Sequence, residues 1–151
     1  MKFDLFTPSD LRIVEFNTTG SEQEFSRVND NSVFLDASVF NIFLPCFESV
    51  KLNYSYFGAN CFTELDIQKL NLELAKSKDE IEKIASDDEF IDFLSNKMLS
   101  KQFMLNLESQ DKHWIRNWKT YTDKLSDINR KLIRITDNCL EDAQILWVIG
   151  Y

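Results

Sequence analysis

Glycine and proline are scarce in this chain, with 3 and 2 among 151 residues. Disordered and low-complexity segments are rich in one or both, so the scarcity points to a folded chain. Histidine is scarcer still, with His113 alone. The three cysteines, Cys46, Cys61 and Cys139, are odd in number and include no Cys-x-x-Cys pair. One histidine and three scattered thiols lack the spacing of a zinc site, and no disulfide framework is expected. Free thiols suit a reducing compartment. No glycine-rich phosphate loop, dinucleotide-binding fingerprint or metal-binding histidine pair is present, so neither metal nor cofactor is expected. A nucleophilic Cys–His pair would need Cys46 or Cys61 carried to His113 by the fold, with no third orienting group in view. The expectation is a protein that is not an enzyme. The rival is carboxylate-only chemistry, which would show as a concave pocket with converging Asp or Glu side chains.

Long apolar runs are missing too. The longest is Ile145–Ile149, against the roughly 20 apolar residues that span a bilayer. Asp4, Asp10, Arg12 and Glu15 interrupt the stretch a signal peptide would keep apolar. No membrane association is expected, and the cytoplasm is the expected location. Basic side chains are the last deficit: 17 against 25 acidic, a net charge of −8. The charge divides evenly, −4 through residue 60 (8 acidic, 4 basic) and −4 beyond it. Such a surface repels phosphate backbones, so nucleic acid is not expected as a partner. A basic protein partner fits, mainly through faster encounter; the plainer reading is that acidity keeps the protein soluble.

Apolar residues, by contrast, are plentiful and ordered. Trp114, Trp118, Tyr121, Leu125, Ile128, Leu132, Ile135 and Cys139 are spaced alternately 4 and 3 residues apart. That is one face of a long amphipathic helix, with Ser109 as its expected cap and Asp111 near its positive end. Ile67, Leu70, Leu74, Ser77, Ile81 and Ile84 repeat the spacing behind a Thr63–Asp66 capping box. Ser86-Asp87-Asp88-Glu89 opens a further helix through Phe90, Phe93, Leu94 and Met98. These two should share the long helix as an antiparallel pack. The stretch 103–107 links them without a clear state.

Ten of the 13 phenylalanines fall within residues 1–62, and this front part reads as strands and turns. Lys2–Leu5 alternates, Thr7-Pro8-Ser9-Asp10 is turn chemistry, and Leu11–Phe16 is a second strand closed by Asn17–Gly20. Glu22–Val28 is ambiguous, a third strand being one option, and Asn29-Asp30-Asn31 is a loop. Val33–Phe47 reads as helix or strand; the favoured reading is a short helix ending near Leu44, because Pro45 pushes the residue before it out of helical geometry. Val50, Leu52, Tyr54 and Tyr56 alternate with polar residues as the cleanest strand, turned by Gly58-Ala59-Asn60. Residues 144–151 are apolar on both alternating faces and suit a buried strand, with a helical continuation as the alternative. The expected fold is α+β in a single domain, 1–151. Residues 1–62 are mainly strands and turns, 63–140 helical, and 144–151 a strand. A small antiparallel sheet from the N-terminal third, joined by the C-terminal strand, packs on three or more helices including the long amphipathic one.

Asp87, Asp88, Glu89 and Asp92 form the densest acidic group. Acids in a first helical turn stabilise the helix through its dipole, and the same charges could dock a basic partner. Glu80 with Glu82, and Glu141 with Asp142, are weaker versions of that group. Trp114 and Trp118 belong to the apolar stripe and are expected in the core. Tyr54 and Tyr56 should be buried with their hydroxyls at the sheet margin.

Two segments carry a family resemblance. Leu52-Asn53-Tyr54-Ser55-Tyr56-Phe57-Gly58, then Cys61-Phe62-Thr63 and Asp66-Ile67-x-x-Leu70, resembles a stretch in immunity proteins of bacterial polymorphic toxin and contact-dependent growth inhibition systems. Leu146-Trp147-Val148-Ile149-Gly150-Tyr151, after a long amphipathic helix, is similar to how several of those proteins end. The resemblance covers about a quarter of the chain. It implies a cytosolic antidote that binds and occludes a cognate toxin domain, often a basic nuclease, without catalysis. Such families share no binding residues, so a toxin-binding role for Asp87, Asp88, Glu89 and Asp92 rests on charge alone. The alternative is an intracellular adaptor that binds a partner protein or peptide, marked by exposed apolar residues on the helices. Neither reading fixes the oligomeric state.

Overall fold

The computed structural model describes residues 1–5, 12–22 and 25–150. Its elements run β1 (Ile13–Thr19), β2 (Val33–Asp36), α1 (Ala37–Val50), β3 (Ala59–Phe62), α2 (Glu64–Lys83), α3 (Asp87–Ser95), α4 (Ser100–Gln110), α5 (Trp118–Glu141) and β4 (Ile145–Gly150). The α+β architecture expected from the sequence is the one observed. Four antiparallel strands lie in the order β2-β1-β4-β3, with the C-terminal strand beside the N-terminal one in the centre.

Register decides which residues share a face. Glu15 stands opposite Phe34 and Ile149, and Asn17 opposite Trp147. Val14, Phe16, Leu146, Val148 and Phe62 therefore point to the other side, where the rings of Phe40 and Phe47 each lie 6.0 Å from that of Phe16. Those two rings belong to α1, which packs on the sheet with one side and on α2 and α4 with others. Ser38 through Leu44 are all buried. A helix surrounded through these two turns needs no polar face there, so that stretch lacks the two-sided period that marks a surface helix.

Several expectations fail for related reasons. The helix does not stop at Leu44, because Pro45 sits inside α1, which runs to Val50. Proline costs one intrahelical hydrogen bond, and burial of the surrounding Phe40, Phe43, Leu44, Cys46 and Phe47 outweighs that loss. Val50–Tyr56 is not a strand. Its alternating tyrosines fold back on α1, where the Tyr54 ring lies 6.5 Å from Phe40 and the Tyr56 hydroxyl donates to Asn41 Oδ1 at 2.7 Å. Turn hydrogen bonds from Tyr54 N to Lys51 O (3.1 Å) and Gly58 N to Ser55 O (3.3 Å) replace the ladder. Ala59-Asn60, expected as a turn, opens β3 instead. Lys2–Leu5 and Phe25–Val28 are irregular too, and Asn17–Thr19 extends β1 rather than closing it. The turn at Thr7–Asp10 lies outside the described residues. Gly150 is required by close approach: a Cβ there would meet the Tyr56 carbonyl oxygen at 1.8 Å.

The helical half follows the sequence more closely. Thr63 and Asp66 form the expected capping box, and α2 runs antiparallel to α5, tied by Asn71–Asp137 at one end and Glu82–Arg130 at the other. Thr122, Ser126, Asn129 and Thr136, all buried, form a second stripe beside the apolar one; small side chains of this kind let two helices approach closely. Residues 100–110 are helical as α4, and Ser109 falls inside that helix rather than capping α5. Asp111 caps the intervening turn, accepting from His113 N (2.8 Å), Asn117 Nδ2 (2.7 Å) and the Tyr121 hydroxyl (3.0 Å). Trp114 lies in that turn, buried edge-to-face against Phe90 at 6.1 Å. The helix begins only at Trp118, which is half-buried.

Candidate functional site

The acidic group falls on α3. Ser86 Oγ accepts from Glu89 N at 3.2 Å, and Glu89 Oε2 accepts from Ala85 N at 2.8 Å, so Glu89 closes the N-terminus of the helix. Asp87 and Asp88 occupy the same positive end, where carboxylates are favoured. Asp92 lies a turn further on. All four side chains are exposed, and among the described residues none forms an ion pair. Met98, 83% exposed, and Leu99 follow directly in the turn to α4.

Several acids of α2 are placed otherwise. Glu73 pairs with Lys76 at 2.6 Å, Glu80 with Lys97 at 3.2 Å, and Glu82 with Lys78 at 2.9 Å and Arg130 at 3.1 Å. The hydrogen bond from Lys78, with those from Ser126 and Arg130, draws the Glu82 carboxyl down to about 2. Glu82, Ile81, Lys119, Ser126 and Arg130 help to line a shallow hollow of about 140 Å³ between α2 and α5. Its charges are spent on one another, Lys119 on Asp123 (2.9 Å) and Arg130 on Asp127 (2.6 Å) as well as on Glu82. Two carboxylates, Glu82 and Asp123, line it, each paired with a cation. Of the acidic pairs ranked below α3 by the sequence, Glu80 and Glu82 are thus structural ties, while Glu141 and Asp142 are exposed at the end of α5.

His113 is exposed beside Asp111, and Cys139 lies at the far end of α5. Cys46 and Cys139 are buried, and burial pushes all three thiols, Cys61 included, up to about 11. Thiols held protonated near neutrality are poor nucleophiles. Tyr54 and Tyr56 are half-buried, and burial raises both phenols.

One cluster was not anticipated from the sequence. On the sheet face turned away from α1, Glu15 and Asn17 are both fully buried. Glu15 Oε1 accepts from Ser32 Oγ at 2.6 Å, Val28 N at 2.8 Å and Asn17 Nδ2 at 3.2 Å. Asn17 Nδ2 also donates to Ser26 O (2.7 Å), and Asn29 Nδ2 donates to Asn17 Oδ1 (3.1 Å). Phe25 stacks on Trp147 with ring centres 4.3 Å apart. The segment Phe25–Ser32 is thereby pinned across the sheet. An acid and an amide inside Ile13-Val14-Glu15-Phe16-Asn17 were the available signal; their partners lie 9 to 17 residues away and leave no local pattern.

Compared with protein-family models, with curated proteins and with solved structures, the chain matches none.

Proposed function

We propose that this chain is a non-catalytic protein-binding module, an immunity protein in kind, that neutralises a basic toxin domain in the cytoplasm by covering it. The observation that carries the reading is the contrast between acids of the same chemistry. Asp66, Glu73, Glu80 and Glu82 of α2 have cationic partners within the fold, whereas Asp87, Asp88 and Asp92 project to solvent with none among the described residues. Unspent charge on a protein of net charge −8 attracts a cationic surface and speeds encounter with it.

The test is co-expression with the protein encoded next to this chain's gene, which the reading expects to be basic. A complex that survives purification, and growth restored in cells making that protein, are the expected results. Growth arrest unrelieved by the chain would contradict the reading. A second reading, an adaptor for partner peptides, is favoured by Leu65 and Leu72, 69% and 65% exposed and two turns apart on α2. It predicts binding of short apolar helical peptides that Leu72→Glu abolishes, an exchange that should leave toxin neutralisation intact.

A further inference from the structure

The two edges of the sheet are finished differently. At one edge β2 runs straight into α1, and its last residue, Asp36, caps that helix and accepts from Lys2 N at 3.3 Å. At the other edge β3 is bare. Gly58 O accepts from Gly150 N at 3.2 Å, and antiparallel bonding alternates, so Gly58, Asn60 and Phe62 direct their backbone groups at β4. Ala59 and Cys61 therefore turn N–H and C=O outward, and among the described residues no hydrogen bond meets these groups. Monomers commonly blunt such an edge with a charge, a proline or a bulge. None stands here: β3 pairs in unbroken register, and residues 52–63 form the longest uncharged stretch of the sequence. Exposed apolar side chains flank the strand instead, Phe57 at 79% before it and Leu65 at 69% after it.

We propose that β3 is a self-association edge whose occupant is β3 of a second copy of this chain. Outward donors and acceptors in a row take an extended backbone, not a helix or a small molecule. An edge that meets its own copy must pair antiparallel about a two-fold axis. With that axis at Asn60, Ala59 of each chain exchanges both bonds with Cys61 of the other, and every outward group is satisfied. The same register sets Phe57 of one copy opposite Thr63 of the other, two residues from its Leu65. The apolar ends thus cover each other, which a strand of four residues needs, since its backbone bonds alone would hold little. Charge also selects a copy over a cationic partner, which would find no charge within the strand to attract it. Two chains of net charge −8 repel, and an uncharged strand is where they can meet. Glu22, against Cys61, and Glu64 lie beside the strand and add to the repulsion, so pairing should tighten as salt screens it.

The test is the mass of the purified chain alone by sedimentation, from about 1 to 500 µM, with amide exchange followed at Ala59 and Cys61. The expected result is a monomer–dimer equilibrium that protects both amides and tightens as salt rises from about 30 to 300 mM. Ala59→Pro removes an outward N–H at an edge position that tolerates proline; it should weaken pairing about tenfold and unfold within about 4 °C of wild type. Phe57→Glu, at an exposed side chain, should weaken pairing as much, and serves if the proline variant does not fold. A monomer throughout the range, or a dimer that the variants leave unchanged, overturns the proposal. So does protection of the two amides only when the protein encoded beside this chain is added, which would give the edge to a partner's strand. The toxin-binding reading is judged separately, by a complex with that protein and a salt effect of opposite sign.

Discussion

Glu15 and the acidic turn of α3 pose opposite solutions to one problem, where to put a carboxylate. Glu15 is enclosed between the sheet and the Phe25–Ser32 segment, with three donors on one oxygen. Burying a carboxylate is costly, so the structure must supply every partner itself. Asp87, Asp88 and Asp92 stay in water and are left for whatever approaches. The difference teaches that in an acidic protein the number of acids says little. What separates an architectural acid from one available for recognition is whether its partners are inside the fold.

That contrast can be broken at several points. The largest effect belongs to Glu15→Ala, which would strand the Val28 N–H and leave the Ser32 hydroxyl only its longer bond to Asn29 Oδ1. We expect a loss of about 3–5 kcal/mol in chemical denaturation, with Glu15→Gln, which keeps an oxygen, losing clearly less. A loss from Glu15→Ala below about 1 kcal/mol would mean the pinned segment contributes little. Glu82 is the intermediate case, exposed but paired. Its carboxyl titrates lower in the folded chain, near 2 against an ordinary 4.5, so its contribution is complete above pH 4.5 and is lost as pH falls towards 2. The acid limb of stability should therefore be shallower in Glu82→Gln over that window, and superimposable limbs would show that the Lys78, Ser126 and Arg130 contacts are not held in solution. The smallest effect is expected from Asp88→Asn with Asp92→Asn, within about 0.5 kcal/mol of wild type. A loss as large as that of Glu15→Ala would make the α3 acids structural and remove the contrast altogether.

How far the sequence could be read varied with how local the cause was. The α5 stripe, the Thr63–Asp66 capping box, the α3 start at Ser86 and the C-terminal strand are set by neighbours within a few positions, and each was legible. The start of α5 was misplaced, because Asp111 ties a turn through Asn117 and Tyr121 before the helix begins; α3 ends at Ser95 rather than reaching Met98, and α4 was not recognised as a helix. The front part was harder. Burial of Phe40, Phe43, Leu44, Cys46 and Phe47 in α1 overrode the proline signal at Pro45, and the alternation of Tyr54 and Tyr56 came from packing on α1 rather than from a ladder. The α3 acids were visible as a run of charge, but their lack of internal partners, the property that matters, depends on where every Lys and Arg falls in space. Glu15 was in plain view and unreadable for the same reason.

The central claim is that the unspent charge of α3 draws in a cationic protein. The direct measurement is the association rate of the purified chain with the partner recovered from that co-expression, between about 30 and 300 mM salt, for wild type and for the chain carrying Asp87→Asn, Asp88→Asn, Glu89→Gln and Asp92→Asn. The account predicts a steep fall with salt for wild type, a flatter one for the variant, and dissociation rates that barely differ. Parallel salt dependences for the two chains would contradict it.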